Sequence, residues 1–589
     1  MSHDRDRATS RTTARTGSPP TTRPVRRVVL AVVVVVCATV LGACAAIPTS
    51  GPVMEGEAVV AAPGPVFLQA NSPRQDAPPD QIVQGFLAAQ VSGATGTFDV
   101  ATEFLTPASA SSWSPLAQVA VLATEPTFDV DDSAADADTA TVRATAELVG
   151  VVDARGVYTE QLPGSTTELV YELARDSDGQ WRIETTDDGL AITRTNFDRT
   201  YRATDLYFPT ADRRYLVPDE RWFPGRNWQT LAVRETLAGP AEWLSGAVTT
   251  ATPEGIGLSI DSVTVADTGP VVVPLTDAAS AMSTTDRGML VAQLEASLAD
   301  PARPVVQLSV GSAPLAAGPT PDIGPAVTPD DPVVLVGDDV STLEGRSTEP
   351  VEGVAPLAGL DPTALAFRGS SSGSTFVVRD GTDRLVTAPH DGSDSVVLLE
   401  GEGLLAPGID RFGLVWSGPA VQGGSLEVVS LDGEVSATVP VPWLEERRAV
   451  SVRVAPDGAR LAVVSTSGTS VRVDVAGVVR DESGLPVQVS DPVRVGQPVT
   501  SASQVMWTDT ALLGVLGRTA TDVSPRLQLV PVGGPTRQAS PLEDADWLAA
   551  GPGVSSVLLG TGDRSLYSAG SSTLWTRVAT DVVLPTYPG

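Results

Sequence analysis

A chain of 589 residues with no lysine, two histidines (His3 and His390) and two cysteines (Cys37 and Cys44) holds few of the groups from which active sites are usually built. P-loops, Schiff-base enzymes and pyridoxal enzymes each need a lysine, and a histidine zinc site or a Ser-His-Asp triad needs imidazoles. His390, in "TAPHDGSD", has the right titration range for a general base, but it precedes an Asp-Gly turn and no G-x-S-x-G elbow supplies a serine. The sequence predicts a turn histidine. The acidic run "VDDSAADA", Val130 to Ala137, lacks the glycine and glutamate of an EF-hand loop begun at Asp129 and reads as a solvated loop. With 71 acidic residues, no carboxylate pair stands out as a glycosidase dyad. One constellation suits recognition: Arg213, Arg214, Arg221 and Arg226 lie near Trp222 and Trp228, so guanidinium forks and indole faces would hold an anion together. No catalytic set, metal site or dissociable cofactor is expected, and the protein reads as a non-enzyme.

Cys44 is the cysteine whose neighbours specify a chemistry. Residues 1–27 are rich in Arg, Ser and Thr and end in Arg26-Arg27, Val28 to Leu41 is continuously apolar, and Gly42 and Ala43 then let a peptidase approach the backbone. Leu41-Gly42-Ala43-Cys44 is similar to a bacterial lipobox. That resemblance implies a signal peptide over 1–43, with Cys37 inside it, and a Cys44 carrying diacylglycerol and an N-acyl chain. The competing reading is an uncleaved membrane helix over Val28 to Ala46. Arg26 and Arg27 stay cytoplasmic in both, so the remainder lies on the extracytoplasmic face of the cell membrane.

The net charge of −32 falls on that remainder, because the first 43 residues hold seven arginines against Asp4 and Asp6. An excess this acidic repels phosphate backbones, and nucleic acid is not an expected partner. Residues 44–78, rich in Pro, Gly and Ala, form a tether. From 79 to 200 two helical stripes (Ile82, Phe86, Leu87; then Ala101, Phe104, Leu105) precede alternating strands through Val142, Leu169 and Trp181, with Asp80 able to cap the first helix. From 201 to 315 the order is strand, helix, strand, strand, helix, strand. Asn227 can cap one helix, Leu290, Leu294 and Leu298 line the other, and Val263 and Val265 pair with Val271 and Val273 about a Gly269-Pro270 turn. A Pro-rich linker, 316–335, predicts separable folding units on its two sides. From 336 to 589 come short strands, with "AVSVRVAPDGARLAVVS" alternating about Asp457-Gly458 and related entries near Trp416, Trp507 and Trp547. Their spacing suits five or six propeller blades, with paired β-sandwiches as the alternative.

The fold class expected is thus multidomain and mainly β, with α+β parts. The 79–200 region resembles an NTF2-like cone. "YLVPDER", "LAGP", "PEGIGLSIDSVTV", "VVVPL" and "LVAQLEASLA", in that order, resemble the GerMN domain, and the Asp457-Gly458 hairpin resembles those of TolB-like β-propellers. Lipobox, tether, these three regions and the final "VVLPTYPG" together resemble the actinobacterial lipoprotein family LpqB, and the absence of lysine suits a GC-rich genome of that group. The resemblance implies an accessory of the MtrA–MtrB two-component system that contacts the ectodomain of the sensor histidine kinase and influences envelope homeostasis and division. A lipoprotein that binds cell-wall fragments without a kinase is the second reading. A carboxylate-dependent envelope hydrolase is the third.

Overall fold

Ile82, Phe86 and Leu87 recur at helical spacing, and the helix Pro79–Thr95 buries all three. Pro79 opens it with the φ that a first turn needs, so Asp80 sits inside that turn near the positive helix end and does not cap. The second stripe breaks into two short helices, Asp99–Thr102 and Pro107–Ser112, because Pro107 supplies no N–H to continue a helix through Thr106. Phe104 and Leu105 are buried in the bend between them. Behind the helices lies a seven-stranded sheet built around Thr139–Asp153, with Thr166–Arg175 and Trp181–Thr185 following antiparallel. Its alternating Val142, Ala144 and Ala146 face the helices and are buried.

The structure, a computed structural model, describes residues 70–589 apart from 132–137, 266–268, 301, 370–372, 391, 421–422 and 571–573. The expected signal peptide, Cys44 with the rest of the expected lipobox, most of the expected tether and the greater part of the acidic loop lie outside the described residues. Among those residues, no helix is long and apolar enough to cross a membrane.

The next region begins with a hairpin of two nine-residue strands, Tyr201–Pro209 on Leu216–Pro224, and continues through the helix Trp228–Ala238. Strand Val271–Leu275 pairs in parallel with Val306–Val310, and the helix Thr284–Ser297 crosses between them. The hairpin expected about Gly269-Pro270 is reduced to two isolated bridges, Thr264 to Val272 and Leu258 to Leu275; Val263 is buried but Val265 is exposed. Val271–Leu275 draws its main ladder from Val306–Val310 on its other edge.

The chain then forms six successive sheets among the described residues. Strands Pro362–Ala366, Gly408–Ile409, Arg448–Val454, Ser501–Asp509 and Ala545–Ala549 each open one of them, and each hairpins outward through antiparallel neighbours. The remaining sheet consists of Val333–Val336, Asp339–Glu344 and Ser347–Pro350, completed by the last strand, Val582–Thr586, which pairs with Val333–Val336. This closure by the far end of the chain makes a six-bladed β-propeller and rules out paired sandwiches. Trp507 and Trp547 lie on opening strands, but Trp416 lies on the second strand of its blade, Leu414–Ser417.

The 316–335 segment is not a free linker. The Gly318 N–H donates to the Thr284 carbonyl at 2.8 Å, the Leu216 N–H donates to the Gly324 carbonyl at 2.9 Å, and Ile323 and Ala326 are buried. One continuous apolar cluster runs from Leu206, Phe208 and Leu290 of the preceding region into Ala462, Val475, Val505 and Val530 of the propeller. The expectation of separable units therefore fails. Apolar side chains scattered along the fourth and fifth blades supply a shared core that no local periodicity in the linker reveals.

Candidate functional site

The six predicted recognition residues do not form one exposed patch. Arg221 is fully buried and forks onto Asp219, with Nε to Oδ1 at 3.0 Å and Nη2 to Oδ2 at 2.7 Å, while Nη1 donates to the Arg155 carbonyl at 2.8 Å. Burial alone would lower its pKa, but Asp219 outweighs burial and holds the guanidinium above its ordinary value. Trp228 is buried beneath the Arg202 guanidinium, 4.2 Å from its ring. The half-buried Trp222 donates from its indole to the Gly533 carbonyl at 2.9 Å. Arg213, Arg214 and Arg226 are exposed, and Arg213 pairs with Asp286 at 3.2 Å. Strand alternation separates them: residues two apart share a face, so Asp219 and Arg221 point together into the interior. His390 is half-buried and bridges the chain to Val354.

Around Trp222 runs a seam where the regions before and within the propeller meet. Glu160 accepts from the Thr536 N–H and hydroxyl, the latter at 2.6 Å, and Ser490 donates to the Trp243 carbonyl. A Cβ on Gly477 would lie 2.7 Å from the Ala247 Cβ, so glycine is required for this approach. Two carboxyls in the seam have buried oxygens without hydrogen-bond partners, Glu220 Oε1 and Asp205 Oδ1. Burial pushes Glu220 up from 4.5 to about 8, with the Asp205 charge adding to the shift and Arg537 opposing it. Burial likewise raises Asp205 to about 6, against the pull of Arg460.

Both carboxyls hold their protons more tightly folded than unfolded. The stability they confer is complete below about pH 4 and is lost as pH rises through about 6 for Asp205 and about 8 for Glu220. Carboxylates with lowered values, such as Asp212 and Asp522, act in the opposite sense, but in the acid range. Denaturant unfolding is therefore expected to show greater stability at about pH 5 than at about pH 9, by about 2 kcal/mol, and Glu220→Gln should remove most of the difference. An unchanged slope in the variant would exclude Glu220 as its source.

A second feature lies on the propeller axis. Opening and closing strands of all six blades converge on a cavity of about 270 Å³, lined by Thr363, Ile409, Arg453, Gln504, Trp547 and Leu584 among others. Arg379 also lines it. Neither arginine was singled out from the sequence. The available signal was an arginine alternating with valines, as in "VSVRV", where a strand facing packed blades would ordinarily carry an apolar side chain.

Two family models match the chain: the N-terminal domain of lipoprotein LpqB over residues 72–198 and the LpqB β-propeller domain over residues 338–588. Lipoprotein LpqB of Bifidobacterium longum (strain NCC 2705) is 29% identical over 466 residues, covering 76% of this chain and 77% of that protein. Lipoprotein LpqB of Streptomyces coelicolor is 28% identical over 602 residues, covering 93% and 96%. With its α+β N-terminal domain and its closed propeller each matching the corresponding family domain, the chain belongs to the LpqB lipoprotein family.

Proposed function

We propose that the protein is a lipid-anchored lipoprotein on the extracytoplasmic face of the cell membrane that modulates an MtrA/MtrB-type two-component system by contacting the ectodomain of the sensor histidine kinase. Membership of the LpqB lipoprotein family carries this reading, and the lipobox around Cys44 supports the anchor. The residue inventory favours recognition over chemistry, since a chain without lysine and with one histidine beyond the signal sequence has few nucleophile and base pairs. To bias a kinase, the protein must bind one signalling state of the ectodomain better than another. A difference of about 1.4 kcal/mol gives a tenfold shift between states. Two acyl chains on Cys44 hold it stably in the membrane, where confinement raises its effective concentration beside the kinase.

Crosslinking in intact membranes, together with phosphorylation of the response regulator, tests the proposal. The expected result is an ectodomain crosslink, altered phosphorylation on depletion, and failure of Cys44→Ala to restore it or to incorporate labelled palmitate. Unchanged phosphorylation with no crosslink overturns the kinase role, and palmitate label on Cys44→Ala overturns the anchor.

A further inference from the structure

The cavity on the propeller axis has an unusual charge. Its lining side chains include two arginines, Arg379 and Arg453, and no aspartate or glutamate, in a chain where acidic residues outnumber basic ones 71 to 39. Neither of these half-buried arginines forms an ion pair among the described residues, whereas the more deeply placed Arg221, Arg460 and Arg480 each fork or reach onto an aspartate within 2.7 Å.

Both guanidiniums are fixed by neutral acceptors. Arg379 donates from Nε to the Thr363 hydroxyl at 2.8 Å and from Nη1 to the Leu404 carbonyl at 3.0 Å. Arg453 donates from Nε to the Met506 sulfur at 3.2 Å and from Nη1 to the carbonyls of Val452, at 2.7 Å, and Ala406, at 3.2 Å. In each, Nη2 has no hydrogen-bond partner among the described residues. Removal from water pushes Arg453 down to about 10, and the Arg379 charge pushes it further the same way. Arg379 is lowered by burial as well. Two like charges held near each other, half-buried and without an ion-pair partner among the described residues, are costly, and an anion between them relieves the repulsion and part of the desolvation. The remaining wall is mixed: Thr363, Ser451, Ser503 and Gln504 line it together with the apolar Met506, Trp547, Leu548 and Leu584.

We propose that this cavity binds a small organic anion, its carboxylate or phosphate head held by the Nη2 groups of Arg379 and Arg453 and its apolar body against Met506, Trp547 and Leu584. The geometry is pre-organised, since each guanidinium is held through two other nitrogens, Arg379 by Thr363 of its own blade and the Leu404 carbonyl, Arg453 by Met506 of the next blade and the carbonyls of Val452 and Ala406, and arginine forks suit both kinds of head group. The site is independent of any kinase contact and stands or falls separately from it.

Calorimetric titration of the full chain in detergent tests it, with benzoate, inorganic phosphate and the neutral benzyl alcohol as probes. At least one anion is expected to bind saturably at a single site and to raise the unfolding midpoint, with benzyl alcohol at least about tenfold weaker. Tighter benzoate assigns a carboxylate ligand, and tighter phosphate a phosphate ligand. Arg379→Gln/Arg453→Gln should lose about tenfold or more in anion affinity, while its unfolding midpoint without probe stays equal or rises because the uncompensated charges are gone. If that variant does not fold, Arg453→Lys, which keeps the charge but loses the fork, should still weaken the anion. The proposal is overturned if neither anion binds, if benzyl alcohol binds as well, or if the substituted protein keeps the affinity of the original.

Discussion

Arg221→Ala is expected to lower the unfolding free energy of the described unit by about 3–5 kcal/mol, the usual loss when one member of a buried ion pair is removed and its partner stays charged in the interior. The side chains of Arg221 and Asp219 are 0% and 2% exposed, so water cannot take over for the missing guanidinium. Asp219 would keep one partner, the Ala241 N–H at 2.8 Å, and the Arg155 carbonyl would lose its donor. Chemical denaturation measures the loss directly. Pairing the change with Asp219→Asn should recover a large part of it, because the stranded charge is then gone. A loss under about 1 kcal/mol would mean that the pair behaves like an exposed one.

Removing residues 582–589 should have a larger effect still, on the order of 5–10 kcal/mol, which is comparable to the whole stability of an ordinary domain. Val582–Thr586 is the strand that completes the first sheet, pairing Val582 with Val336 and Thr586 with Val333. Without it, the buried Val333, Val334 and Leu335 would present an unpaired apolar edge, and Leu584 would vacate the cluster that also contains Phe367 and Phe376. The shortened chain is expected to lose cooperative unfolding by near-UV circular dichroism and to aggregate. Addition of a peptide spanning 580–589 should restore part of the signal. Cooperative melting at the original midpoint would show that other contacts hold the ring shut.

Much of the fold was legible because local signals agree with it. The Ile82, Phe86 and Leu87 stripe forms a helix, and Asp457-Gly458 turns a hairpin in which Gly458 has φ +73°. The Asp457 carboxylate goes further than a turn signal reveals, since it also pairs with the buried Arg460 at 2.6 Å. Blade number was open for two physical reasons. The third blade opens on a strand of two residues, Gly408–Ile409, too short to show alternation, and the first blade is finished by a strand from the other end of the chain. The recognition patch failed where sequence proximity was taken for shared surface: Asp219 and Arg221 satisfy each other on one face of a strand whose other face carries Glu220. The axial arginines were missed because Arg379 and Arg453 come together only when blades two and four face the same cavity.

The way the ring closes also orders its birth. A chain delivered across a membrane from its amino end exposes Val333–Val336 about 250 residues before the strand that covers it. Until Val582–Thr586 emerges, five blades can hairpin locally but the circle has no lock, and the loop-closure entropy of the whole propeller is met in one late step. For a chain exported as proposed, secretion would be a race between completing translocation and sticking at an open β edge, and its yield should depend on whatever shields that edge in the interval.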